Sequence, residues 1–265
     1  MNILNTTTGR DGPCPQYLKI KCKMTPVKAI SVPLSALFVL AMLSCSTTNK
    51  LTTTEEEEGW ILLFDGKTTD GWTNFNEELI SGWTVEKGCL LGLGLGGDIG
   101  GDIISADEYD NFILKWDWKL GPHGNSGVMY HVIEGDKYHA PYETGPEYQL
   151  IEDDDFRDEN GDPYPLEDWQ TTASDYAMYV ASEDKEVNVR KWNSSMIVFT
   201  EEKAEYWLNG KKVVEFVPWS EDWKKRRNSG KWNDYPDYGR AKRGKIALQD
   251  HGSKVWFRNI KIKVL

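Results

Sequence analysis

From Phe112 to Leu120 the chain alternates apolar and polar residues almost without interruption. Phe112, Leu114, Trp116, Trp118 and Leu120 fall on one side, and Lys115, Asp117 and Lys119 on the other. A period of two marks a half-buried strand, because successive side chains of a pleated strand point to opposite faces. After the turn Gly121-Pro122-His123-Gly124-Asn125, residues Val128, Tyr130 and Val132 share a face opposite Met129, His131 and Ile133. That pattern predicts a strand returning antiparallel to the first. A further hairpin is specified by Asn209-Gly210 between residues 205–208 and 211–214, since a type I′ turn needs positive φ at both central positions. Helix is scarce: 105–109 reads as one turn and 219–227 as a short amphipathic helix. Many short strands, Gly-rich turns and 12 tryptophans predict an all-β fold with little helix, two antiparallel sheets packed as a jelly-roll sandwich, with a closed barrel as the alternative.

The amino-terminal segment reads as targeting information. Arg10, Lys19, Lys21, Lys23 and Lys28 precede the apolar run 30–43, too short for a membrane span and suited to a signal-peptide core, with Met24 as an alternative start. Met42-Leu43-Ser44-Cys45 resembles the lipobox of bacterial lipoproteins. Cys45 is therefore the expected lipidation site, and the cell envelope, with the chain held on a membrane, the expected location; a plain secretory signal is the alternative. Residues 1–45 carry five of the 31 Lys and Arg and one of the 42 Asp and Glu, so the remainder has a formal charge of -15. A chain this acidic, without a basic stripe, excludes nucleic acid as a partner. Beyond Cys45 only Cys89 remains as a thiol, so no intramolecular disulfide forms and stability rests on the core. The Thr- and Glu-rich residues 46–58 read as a flexible acidic tether, and 59–265 as one large β domain.

Two segments carry the candidate chemistry. In 142–150, read as a strand, Tyr148 and Leu150 point one way and Glu147 and Gln149 the other; the same alternation also suits an ordinary strand with both polar residues in water. In 244–252, Ile246 and Leu248 face the core while Gln249 and His251 lie with Ala247 on the opposite side. If both strands belong to one sheet, Glu147, Gln149, Gln249 and His251 open onto one cavity on its concave face. Strict alternation puts Arg258 beside Trp256, Ile260 and Ile262, so it needs an ion-pair partner or a substrate contact, unless a bulge rotates it outward. Glu152-Asp153-Asp154-Asp155 and the acidic residues that follow look calcium-like. An EF-hand phase would put Phe156 at the first ligand position, however, so a solvated acidic loop is the better reading. The Gly-rich stretch 92–101 lacks a phosphate-loop lysine and reads as a mobile loop from which Asp98 and Asp102 could reach a cleft.

In their order along the chain, Trp60-Ile61-Leu62-Leu63-Phe64-Asp65-Gly66-Lys67, Gly124-Asn125-Ser126-Gly127, the 142–150 stretch, Trp207-Leu208-Asn209-Gly210 and Leu248-Gln249-Asp250-His251-Gly252 resemble the 3-keto-disaccharide hydrolase family over 59–265. The resemblance implies a concanavalin A-like jelly roll and a 3-keto-glycoside substrate, made by a partner oxidoreductase. A ketone at C3 acidifies the C2 proton, so cleavage would run through elimination and hydration and would need a base and an oxyanion stabiliser. Glu147, Glu143 or His251 could be the base, with Glu147 and His251 expected first. Gln149, Gln249, Arg258, Asn125 or a divalent cation could hold the enolate, and His131, Asp102 and Asp153 complete the candidate substrate contacts. The glycine-rich loop is longer than the family pattern, and His131 stands where an arginine is common, which leaves the substrate open. A non-catalytic, lectin-like carbohydrate-binding protein is the alternative function.

Overall fold

In the computed structural model, which describes residues 48–96, 100–158 and 160–265, the alternating stretch is a central strand of the larger of two sheets. That sheet contains β1 (Trp60–Leu62), β3 (Trp83–Glu86), β4 (Cys89–Gly92), β6 (Phe112–Leu120), β9 (Asn193–Phe199), β10 (Ala204–Leu208), β11 (Lys211–Phe216) and β13 (Val255–Val264). Their spatial order is β11-β10-β9-β6-β13-β4-β3, with β1 also on β13. The smaller sheet orders β2 (Trp72–Asn74), β5 (Ile103–Tyr109), β12 (Gly244–Leu248), β7 (Asn125–Val132) and β8 (Glu147–Ile151) as β2-β5-β12-β7-β8. This is the two-sheet antiparallel jelly roll, with helix confined to short pieces.

The inward residues of β6 are all buried and meet Val128, Tyr130, Tyr148, Leu150, Ile246 and Leu248 from the smaller sheet in one core. Trp116 packs edge-on against Tyr148 at 5.0 Å. Each fully buried large apolar side chain contributes about 1.5–3 kcal/mol, so this interface holds the two sheets together. The 209–210 hairpin forms as expected, with φ of 49° at Asn209 and 83° at Gly210. Ser220 caps the helix Glu221–Arg227 by accepting from the Trp223 N–H, as the 219–227 pattern indicates.

Several local expectations are corrected. β7 does not return beside β6: it lies in the other sheet, between β8 and β12. Every residue of β7 is buried, so it suits a sheet centre covered on both faces, whereas β6 keeps one polar face toward solvent. Residues 105–109 extend β5 rather than form a helical turn, because pairing with both β2 and β12 outweighs weak local helix preference. The expected tether is docked from Asn49 onward. Asn49, 7% exposed, donates through Nδ2 to the Gly88 carbonyl at 2.7 Å and through its backbone N–H to Asn259 Oδ1 at 2.6 Å. Thr52 then caps a short helix, Thr53–Glu57, whose Glu55 pairs with Lys261. Cys45, the signal-like run and Asp98 lie outside the described residues.

Candidate active site

Alternation along β8 sends Tyr148 and Leu150 into the core and leaves Glu147 and Gln149 on the other face of the smaller sheet. Neither meets bulk water, since each is 4% exposed. Room for the Glu147 carboxylate comes from Gly127, which pairs with Gln149 across β7 and β8. A Cβ at Gly127 would lie 2.0 Å from Glu147 Oε1. Burial pushes the Glu147 pKa up to about 7; the Lys231 charge opposes that rise, and Asp102 adds to it.

β12 carries the second half of the site. Ala247 joins Phe75, Ile104, Met129 and Val132 in an apolar layer on this same face. Beyond the strand, the Gln249 N–H donates to the Gly127 carbonyl at 3.0 Å. Gln249, Asp250 and His251 then line a polar cavity of about 920 Å³ with Asn74, Asp102, Tyr138 and Tyr142. Asp102 is 8% exposed, and its Oδ1 accepts the Asp250 N–H at 2.9 Å. Desolvation raises the Asp102 pKa to about 7, more than the hydrogen bond lowers it, with the Asp250 charge acting in the same upward sense. His251 sits at the exposed rim, where partial enclosure, and then the field of Lys231, hold its pKa below the ordinary value, so the imidazole is neutral at pH 7.

Lys231 is a charged neighbour of Glu147 that sequence reading missed. It lies in the 3₁₀ segment Gly230–Asp234, and its ammonium stands 4.4 Å from the Tyr176 ring centroid, 4.8 Å from Trp232 and 5.1 Å from Tyr142. Rings rather than an ion pair hold it among the described residues, and each such contact contributes about 0.5–2 kcal/mol. Desolvation lowers its pKa, opposed by the Glu147 charge. Its only trace in the sequence is a lysine next to a tryptophan in a Gly- and Asn-rich loop; the other two rings beside it, Tyr142 and Tyr176, come from distant segments.

The other candidates separate. Gln249, His251 and Asp102 line the cavity, but Glu147 and Gln149 do not open onto it as expected: they lie on its sheet face and are buried, with Gln149 Oε1 accepting the Leu150 N–H at 2.9 Å. Asn125 exchanges hydrogen bonds with Ser253 through its backbone, and its buried Oδ1 has no hydrogen-bond partner among the described residues. Glu143 Oε1 accepts the N–H groups of His139 and Ala140 at 2.7 and 3.2 Å, which ties it to a turn. His131 leaves the expected face because β7 bulges: Ala247 pairs with Met129 and Lys245 with Val132, so two residues oppose Ile246. Its imidazole is 1% exposed among Phe112, Phe199 and Trp219, with Nε2 2.8 Å from the Asp110 carbonyl. A second bulge, with Asn259 at φ 52°, rotates Arg258 away from Ile260 and Ile262. Arg258 sits on the outer face of the larger sheet, 3.3 Å from Asp117 and 3.9 Å over Trp192. Asp153 lines a separate cavity of about 280 Å³ and binds the Thr172 N–H and Lys185. At the calcium-like run, Glu152 and Asp155 gather with His123 from the turn after β6. Arg190 already bridges the two carboxylates at 2.9 and 3.1 Å, and Arg157 binds Asp155, so cationic side chains satisfy this cluster.

A jelly roll with a polar cleft, and with two carboxyl groups held near pKa 7, suits glycoside cleavage, and the family match and a curated relative place the chain in that class of enzyme. Within that class the chain belongs to the family described as the 3-keto-alpha-glucoside-1,2-lyase-like domain, whose model matches residues 59–263. It is 31% identical over 234 residues to the 3-keto-disaccharide hydrolase of Bacteroides thetaiotaomicron, covering 79% of this chain and 80% of that one. A crystal structure of a candidate glycosyl hydrolase from Parabacteroides distasonis is 52% identical with a TM-score of 0.75, covering 82% of this chain and 99% of the other. A second such structure from the same organism is 28% identical with a TM-score of 0.57, covering 78% and 99%.

Proposed function

We propose that the protein cleaves 3-keto-glycosides, 3-keto-disaccharides among them, by removing the C2 proton, eliminating the group at C1 and adding water. The observation that carries this reading is Glu147, buried behind Gly127 with a pKa of about 7 and coupled to the Lys231 ammonium. A base with a pKa near the working pH is what abstraction from carbon next to a ketone requires. Lys231 supplies a fixed positive charge for the developing enolate oxygen, a task first expected of Arg258, which sits on the other sheet. Asp102, half protonated near neutrality, can hand a proton to the departing C1 oxygen, and neutral His251 can accept one from the incoming water. A lectin-like role gains nothing from burying a carboxylate at this cost, so binding alone is the weaker reading.

The substrate ketone must come from oxidation of a sugar C3 hydroxyl, so an oxidoreductase acts upstream. We also read Cys45 as a lipid anchor to the cell envelope; membrane fractionation of Cys45→Ser tests this, since the variant should become soluble, and a soluble wild-type protein would sink the anchor. The enzymatic reading is tested by incubating the protein with a 3-keto-disaccharide and with its unoxidised parent. Monosaccharide should be released from the first and not from the second; equal release from both, or none from either, overturns it.

A further inference from the structure

Asp250 lies between two cavity-lining residues, is 1% exposed, and accepts more backbone hydrogen bonds than any role in the proposed chemistry requires. Its Oδ2 accepts the N–H groups of Gly94 and Leu95, both at 3.1 Å, and its Oδ1 those of Gly96 at 3.1 Å and Gly252 at 3.0 Å. Its own N–H donates to Asp102 Oδ1. One residue, through its carboxylate and its backbone N–H, therefore ties the stretch after β4, the end of β12 and the entrance to β5 together. Gly94 and Gly96 have φ of 74° and 81°, the left-handed backbone that lets successive N–H groups converge on one anion. Close approach continues nearby: a Cβ at Gly82 would meet Gly100 Cα at 2.3 Å, and Asn74 and Trp83 donate to the Gly100 and Gly101 carbonyls at 3.1 and 2.9 Å. Gly96 and Gly101 form part of the cavity wall. The sequence shows only a glycine-rich stretch; its anchor lies some 150 residues away.

We propose that Asp250 is a positioning residue, whose carboxylate clamps Gly94–Gly96 as one wall of the cleft while its backbone N–H orients the Asp102 carboxyl toward the substrate. The catalytic consequence rests on the glycoside-cleaving reading; the clamp itself does not. Charge-assisted hydrogen bonds of this kind resist local opening in a way that a neutral amide, which places an NH₂ against backbone donors, cannot reproduce.

The test is Asp250→Asn, with hydrogen exchange at Gly94, Leu95 and Gly96, a ¹³C-carboxyl titration of Asp102, and steady-state kinetics. In the wild-type protein these amides should exchange slowly, and rapid exchange there already overturns the clamp, whether or not the variant folds. In Asp250→Asn their exchange should accelerate by about tenfold or more. The Asp102 midpoint should move down from about 7, because a neighbouring negative charge is gone and the carboxyl is better hydrated. Turnover should fall, and Asp250→Glu should restore part of it. A folded Asp250→Asn variant with unchanged exchange, an unchanged Asp102 midpoint or unchanged kcat/KM refutes the proposal. A preserved clamp in a protein that cleaves no 3-keto-glycoside refutes the functional reading alone.

Discussion

The proposed base, Glu147, is tuned by opposing effects. Burial favours its neutral form and Lys231 its charged form, and the balance leaves it near pKa 7. Glu147→Gln keeps the shape of the group and removes the base. It should retain substrate binding and lose about a hundredfold to ten-thousandfold in kcat, as measured by steady-state kinetics alongside equilibrium binding. His251→Asn provides the contrast: if the histidine variant is dead while the Glu147 variant keeps near-normal kcat, the base is His251. Alternation alone gave the phase of Glu147 and Gln149, which sit on the regular strand β8, whereas Gln249 and His251 follow the end of β12 at Leu248. The same rule failed at His131 and Arg258, where a bulge adds a residue to one strand and reverses every later side chain. Lys231 had only the adjacent Trp232 as a local signal, since Tyr142 and Tyr176 come beside it only after folding.

At the scale of elements, the β7 and β8 pair makes the site possible. Glycine at 127 is required for space and not for backbone freedom, as the Cβ clash with Glu147 shows. Gly127→Ala should cost about 1–3 kcal/mol through overpacking and, by displacing the carboxylate, should reduce kcat well beyond what partial unfolding explains. Thermal melting and kinetics on the same sample separate the two effects, and unchanged kcat would contradict the proposed placement of the base. Hairpins were legible where the turn itself specifies the pairing, as at Asn209-Gly210. Sheet membership was not: a turn after β6 looks the same whether the chain returns beside that strand or crosses to the facing sheet. Nor was docking of 49–58, which depends on one buried asparagine and a capping box rather than on apolar area.

For the molecule as a whole, buried carboxyl groups set how stability depends on pH. Asp175 is fully buried, and burial raises its pKa well above the ordinary 3.8, although a hydrogen bond from Tyr206 acts to lower it. Glu147 and Asp102 move in the same direction, from 4.5 and 3.8 to about 7. Folded groups that hold protons more tightly than unfolded ones stabilise the fold fully below pH 4, and that stabilisation is lost as pH rises through 7. His131, lowered to about 4 from 6.5, works in the opposite sense between those values. Asp175→Asn removes one titration without changing shape, so it should raise the melting temperature more at pH 8 than at pH 5. An equal shift at both pH values would contradict this.

The chemistry joins these scales, because cleft, base and cation matter only if the C2 proton is removed. A 3-keto-disaccharide carrying deuterium at C2 should be cleaved more slowly than its protiated form, with the primary effect visible in kcat/KM when proton abstraction limits the rate. Equal rates for the two, together with cleavage of the unoxidised parent, would instead mean departure of the C1 group through an oxocarbenium ion, and would remove the base from Glu147.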